Sequence, residues 1–347
     1  MKKIIIAVVI VAALGAAVYK LAVDTEVGQD FLLDRAVSAR MSRPPAVDFS
    51  GLEVMVCGSS SPLPDPNRAQ ACIMVRAGDR IFLVDAGSGS NKVLQIEGVP
   101  MQLVGTILLT HFHSDHISAI ANVNLNSWVA GRPARLQIVG PEGVESVVAG
   151  FNMAYVLDRS YRTAHHGEEL MPSALGALEA RTIVPGVIYS QDELTITAFE
   201  VDHAPIRPAV GYRFDYMGRS VVVTGDTVVT KGIEIAAKDA DLLLMDALSH
   251  DLINAMSQGA AAGGLDRQSI ILKDVIDYHA DTRNIEKMAV AAGVGQVALY
   301  HLVPPAQNIV MENIFMRGVP DDIILTHDGM RFFLPAGSDE LKIVEKN

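Results

Sequence analysis

Six consecutive residues, His111-Phe112-His113-Ser114-Asp115-His116, constrain this chain more than anything else in it. They hold four side chains able to ligate a metal ion, and they follow directly on an apolar run at 104–110. Such a run reads as a strand covered on both faces. The cluster then falls in the turn between that strand and a helix expected from about Ile117. Side chains fan out from one point in a tight turn. His111 and His113 can therefore meet one cation while Asp115 and His116 face a second. Imidazole and carboxylate are good ligands for zinc and similar ions. The chain has ten histidines in 347 residues, so three of them within six positions is not an accident of composition.

The rest of the composition is that of a globular α/β protein: half the residues are hydrophobic and one fifth are charged. The first 21 residues carry Lys2, Lys3 and Lys20 and no acid. The remainder therefore holds 25 basic against 40 acidic residues, a balance of −15. An acidic body repels a polyphosphate backbone, and no basic run or stripe is visible, so no nucleic-acid partner is expected. Cys57 and Cys72 are the two cysteines. The absence of a CxxC pair excludes a zinc knuckle or a thioredoxin-type site. The two flank a loop and could face each other across a hairpin; a disulfide and a pair of buried thiols both stay open.

The chain begins with Lys2-Lys3, an unbroken apolar stretch at 4–18, small residues at Gly15, Ala16 and Ala17, and Tyr19-Lys20. That is the plan of a secretory signal. With Leu21-Ala22-Val23 added it also approaches the length of a membrane anchor. Residues 1–22 are thus expected to be an N-terminal apolar targeting helix, either cleaved or retained. The paired lysines predict export of the body, to a periplasm or to the outer face of a membrane. Residues 23–50 read as a linker punctuated by Arg43-Pro44-Pro45. Residues 51–347 read as one hydrolase domain. Within it a half-buried strand is expected at 52–57, a hairpin at 71–84, three strands in succession between 195 and 224, and a closing hairpin over 323–334. The Ala/Gly-rich segment 256–264 reads as a mobile loop or lid.

Further motifs follow the histidine cluster in chain order. Val201-Asp202-His203 precedes Gly211-Tyr212-Arg213. Thr224-Gly225-Asp226-Thr227 closes an apolar run. Tyr278-His279-Ala280-Asp281-Thr282 stands before a helix, and Leu299-Tyr300-His301-Leu302 ends another run. Asp85-Ala86-Gly87 marks an early strand end. Over residues 50–335 this series resembles the metallo-β-lactamase superfamily, in its ribonuclease Z and arylsulfatase-like branch. The resemblance implies an αββα sandwich. It also implies two divalent ions, zinc by default, with manganese or iron also suited to the set. His111, His113 and His203 would hold one ion; Asp115, His116 and His301 would hold the other, with Asp226 bridging. Two cations ~3.5–4 Å apart can share and deprotonate a water. Asp115 would orient that nucleophile, and His279 would protonate the leaving oxygen or stabilise charge on the attacked group. A His-His-Gly stretch like His165-His166-Gly167 occurs in arylsulfatase-like members, so this segment could line the substrate. Asp246 stands where members often have His-Glu-Ala, which leaves the surroundings of the ligands open. Asp251, Asp277 and Asp281 read as helix-end or surface acids.

The expected activity is an exported two-metal hydrolase of small phosphate or sulfate esters, its partner a small-molecule ester. A ribonuclease Z-type phosphodiesterase would need a long arm after the third motif, and Tyr212 and Thr224 are too close to hold one. A lactonase of the same fold, and a membrane-tethered binding protein with structural metal, are the alternatives. The last would need a closed site with no open position. Whether the chain forms a homodimer is not legible.

Overall fold

The computed structural model describes residues 2–41 and 49–345. It divides into two compact units, Met1–Phe49 and Ser50–Asn347.

The first unit is helical. Helix α1 (Lys2–Asp24) is followed after one residue by α2 (Glu26–Met41). The 21 residues Ile4–Asp24 are long and apolar enough to cross a membrane, and none of that stretch is buried. At 1.5 Å per residue they extend about 31 Å, the thickness of a hydrocarbon core. The expected linker at 23–50 is corrected by α2: Glu26–Met41 is a 16-residue helix. Its helix formers (Leu32, Leu33, Arg35, Ala36) outweigh the absence of a clean apolar stripe. The Arg43-Pro44-Pro45 punctuation lies outside the described residues.

The second unit is an αββα sandwich. Its chain runs β1 (Gly51–Gly58), β2 (Cys72–Ala77), β3 (Arg80–Val84), α3 (Ser90–Ile96), β4 (Val104–Leu108), α4 (Ser114–Ile117), α5 (Ile120–Val129), β5 (Gln137–Gly140), α6 (Val144–Ala154), α7 (Val156–His166) and β6 (Glu179–Thr182). It continues with β7 (Gly186–Gln191), β8 (Leu194–Glu200), β9 (Val210–Tyr216), β10 (Arg219–Val223), α8 (Lys231–Ala236), β11 (Leu242–Leu248), α9 (His250–Ala262), α10 (Asp266–Asp274), α11 (Thr282–Ala292), β12 (Gln296–Val303), α12 (Ile309–Phe315), β13 (Ile324–Leu325), β14 (Arg331–Pro335) and β15 (Lys342–Val344). One sheet has the order β15-β14-β1-β2-β3-β4-β5-β6 and the other β13-β12-β11-β10-β9-β8-β7.

The period-2 alternation of strands explains the layers. Leu52, Val54 and Val56 of β1 face Tyr212, Phe214, Val221 and Val223 across the inter-sheet core. Met55 and Cys57 of the same strand face α3, α5 and α6 on the outside, through Leu94, Ile120, Val123 and Val144. The second sheet buries its outer face under α8, α11 and α12, through Ile233, Ile285, Met288 and Phe315. Strand β1 is therefore buried on both faces rather than on one. Even Glu53 is buried, paired with Arg76 and Arg331. Cys57 and Cys72, on adjacent strands with Cα atoms 4.9 Å apart, form a disulfide.

Three expectations change. The closing hairpin does not exist: β13 runs parallel to β12 in the second sheet, whereas β14 pairs with β1 in the first. Two short apolar runs separated by a Gly-containing turn have the local pattern of a hairpin, and only the available sheet edges decide where each goes. Segment 256–264 is not a loop; it continues α9, which ends at Gly263-Gly264. The helix after the histidine cluster starts at Ser114, so Asp115 and His116 lie in its first turn.

Candidate metal centre

Strand direction brings the motifs to one edge. β10, β11 and β12 are mutually parallel, so Asp226, Asp246 and His301 leave the sheet at the same end. Strand β8 is antiparallel to β9, and β9 to β10, so β8 points with β10 and delivers His203 to that edge. From the facing sheet, β4 delivers His111. Local backbone then aims the side chains. The β11–β12 register shifts after Asp246 and Tyr300, leaving His301 unpaired in the ladder at φ 46°. A bulge of this kind re-aims a side chain. Asp85 is also left-handed, at φ 62°. Gly225, at φ 66°, sits where a Cβ would lie 2.7 Å from Thr110 Cβ, so only glycine allows Asp226 its approach.

All seven expected ligands come together. His111, His113, His203 and Asp226 form one group whose ligand atoms lie within 4.8 Å of one another, and Asp115, His116 and His301 form another. His111 Nε2 is 3.0 Å from His113 Nδ1 and 3.7 Å from Asp226 Oδ2. Asp226 Oδ2 is also 3.3 Å from His116 Nε2 and 3.8 Å from His203 Nε2. His301 Nε2 stands 3.1 Å from Asp115 Oδ2.

A second set of groups fixes which nitrogen faces the centre. His116 Nδ1–H donates to Asp85 Oδ2 at 2.8 Å, and the same carboxylate accepts the N–H and hydroxyl of Thr110. His203 Nδ1–H donates to the Tyr278 carbonyl at 2.9 Å. Asp246 accepts from His279 Nδ1 at 2.9 Å and from His301 Nδ1 at 3.2 Å, as well as from the Thr227 and Ala280 N–H groups. Pairing of this sort orients ligand histidines and raises their basicity. Asp226, Asp246, His279 and His301 also lie close enough to hold an ion. The oxygens of Asp246 are already committed to donors, whereas Asp226 Oδ1 has none. We therefore read Asp246 as an orienting group.

Orphaned atoms test whether the residues present fit metal ions. His116 Nε2, His203 Nε2 and Asp226 Oδ1 are buried without a hydrogen-bond partner. An unsatisfied buried polar atom costs about 1–3 kcal/mol, and three pointing into one space call for a common partner. Lone pairs from imidazole and carboxylate facing inward are what a divalent cation takes. The donor set fits two.

Electrostatics make the same point. Burial holds the His111 imidazole well below its usual range, and nearby His116 adds to this. Burial also opposes charge on His301, yet Asp226, Asp115 and Asp246 outweigh it and lift that imidazole to about 10. Asp226, Asp85 and Asp115 likewise lift His116 above its ordinary value against burial. Asp226 is held well below the usual carboxylate range despite its burial, by His116 and His301. In the metal-free protein at pH 7, His301 should thus carry a proton that a bound cation must displace. Metal affinity should rise about tenfold per pH unit for each proton expelled. Calorimetric titration in two buffers of different ionisation enthalpy counts those protons; uptake without proton release would refute the prediction.

The sequence named Asp85 as part of a strand-end motif and Asp246 as a departure from the pattern, but not their orienting roles. Their signal was an acid ending a buried strand, which needs a partner for its charge. His165 and His166 are the exposed last residues of α7, with rings 4.6 Å apart, and belong to neither ligand group. Asp281 caps α11, and Asp251 and Asp277 are exposed.

The family model of the beta-lactamase superfamily domain matches residues 80–302. Ribonuclease Z of Mycobacterium avium (strain 104) is 36% identical over 256 residues, 73% of this chain and 86% of that one. Ribonuclease Z of Mycolicibacterium gilvum (strain PYR-GCK) is 35% identical over 259 residues, 74% and 86%. Among solved structures, the metallo-beta-lactamase fold protein YhfI of Bacillus subtilis superposes with TM-score 0.58 at 18% identity, covering 81% of this chain and 98% of that one. The short form of human tRNase Z superposes with TM-score 0.57 at 17% identity, covering 80% and 98%. These likenesses correct the expectation that nucleic acid is excluded, since the sequence relatives are named as ribonucleases. Net charge summed over a body does not set the local potential in a cleft, and cations at the centre would face the phosphate directly. Its likeness in sequence and its sandwich fold agree on one origin: the chain belongs to the metallo-β-lactamase superfamily, in its ribonuclease Z branch, and is a metal-dependent hydrolase acting on ester bonds.

Proposed function

We propose that this hydrolase is a phosphodiesterase of the ribonuclease Z kind, cleaving an RNA-type phosphodiester. The observation that carries the reading is the Asp246 carboxylate, shared by His279 and the ligand histidine His301. It sets a proton donor beside the ligands of the centre. The sequence relatives favour a phosphodiester over the small phosphate or sulfate ester expected from the motifs alone.

His111, His113 and His203 would hold one cation and Asp115, His116 and His301 the other, with Asp226 between them. Zinc is the first choice for so imidazole-rich a set. Such ions, when bound, would supply Lewis acidity, lowering the pKa of water and neutralising charge on the phosphoryl oxygens. Asp115 orients the attacking water through the oxygen not turned to His301. His279 keeps Nδ1–H on Asp246 and turns Nε2 away from it, ready to protonate the leaving oxygen. Asp246 stabilises the imidazolium that this requires.

The test is turnover by the zinc- or manganese-loaded protein of bis(4-nitrophenyl) phosphate, a precursor tRNA carrying a 3′ trailer, 4-nitrophenyl sulfate and a lactone. Chelator-sensitive cleavage of the phosphodiesters is expected. Cleavage of the sulfate or lactone alone would overturn the reading.

We further propose that the body works outside the cytoplasm, behind α1. An apolar exposed helix after two lysines supports this, as does a disulfide, which persists in oxidising compartments. Thiol alkylation in denaturant, without reductant, on protein from fractionated cells checks it: free Cys57 and Cys72 in the cytoplasmic fraction would refute it.

A further inference from the structure

Tyr278 immediately precedes His279, and its side chain is no part of the ligand set. The residue is half-buried, and its ring lies against two histidines of the centre. The ring centroid lies 5.0 Å from that of His203, nearly edge-on at 79°, and 4.7 Å from that of His279, inclined at 50°. The Tyr278 carbonyl accepts the His203 Nδ1–H, so the backbone beneath the ring is pinned to the centre. Among the described residues its hydroxyl makes no hydrogen bond. The side chain is thus not an internal polar tie, and its partly buried ring lies beside the proposed proton donor.

A leaving oxygen within reach of His279 brings its substituent alongside this ring. We propose that Tyr278 is the stacking platform for the leaving group, and that the enzyme thereby selects esters whose leaving group carries a flat aromatic surface, a nucleobase or an aryl ring. The inference rests on the role of His279 given above. Stacking of a base on an aromatic side chain is worth ~1–3 kcal/mol by substitution, about ten- to a hundredfold in affinity.

Binding tests it without turnover. Benzylphosphonate, ethylphosphonate and the methylene phosphonate analogue of uridine 5′-monophosphate carry a carbon in place of the leaving oxygen and cannot be hydrolysed. Calorimetry on the metal-loaded protein should rank the benzyl or the uridine ligand above ethyl, and whichever of the two is tighter names the class. Tyr278→Leu should lower that affinity about tenfold or more while leaving ethylphosphonate nearly unchanged. Tyr278→Phe, which keeps the ring, should behave as wild type, with metal content equal in both variants. No aromatic preference in the wild type, or a loss in the Phe variant equal to that in Leu, would overturn the inference. If the Leu variant loses metal, the wild-type ranking and the Phe variant still decide. A protein that prefers the aromatic ligands but cleaves no phosphodiester would sink the proposed reaction and leave this inference standing.

Discussion

Asp226→Asn should strip metal from the centre and lower turnover by roughly 10³-fold or more, since both the charge that holds the cations together and the chemistry they supply are lost. The argument is one of position. Asp226 is buried among four imidazoles, and its Oδ1, 3.4 Å from His301 Nδ1, has no hydrogen-bond partner within the protein. Asparagine keeps the volume, so packing is undisturbed. It removes the negative charge, and its amide offers hydrogens to a place that wants lone pairs. Metal analysis should find fewer than two ions per chain. Thermal midpoints separate this loss from a folding defect: the metal-free variant should still unfold cooperatively, below metal-free wild type because Asp226 no longer offsets His116 and His301, while the stabilisation that metal confers on wild type is absent. Full metal content with full activity would refute the bridging role.

His279→Ala should behave differently, lowering kcat by roughly 10²–10⁴-fold with two metals still bound. The loss should shrink for a 4-nitrophenolate leaving group, which needs no proton, and be greatest for an alkoxide. Equal losses across leaving groups would rule out proton donation. Asp246→Asn links the two effects. Its carboxylate receives Nδ1 of both His279 and His301, so the variant should lose turnover and also bind metal about 10–100-fold more weakly. A variant affected in rate alone would mean that His301 does not depend on Asp246.

Fold and ligands were legible to different depths. The strands were readable where apolar runs end in turn residues, as at 71–84 and 195–224. They were misread where local pattern underdetermines pairing, as at 323–334. Residues 256–264 look like a loop because alanine and glycine carry no amphipathic signal, although Leu252, Ile253 and Ser257 bury one face of α9. The seven candidate ligands, which the structure brings together, were legible because four sit in one cluster and the others stand at the ends of buried strands, where an uncompensated His or Asp would be costly.

The sequence by itself determined the chemistry of this protein: which donors exist, that they cluster at strand ends, and that an apolar segment precedes the body. Only the tertiary structure decided how those donors are aimed. Asp85 and Asp246 orient their histidines from 31 and 33 to 55 residues away along the chain, Cys57 meets Cys72, and Tyr278 stands against His203. The physical reason is that a metal ligand is recognisable from its own side chain and its immediate neighbours. The hydrogen bond that fixes its tautomer comes from another strand, and strand order is settled by burial of the whole sheet rather than by any local motif.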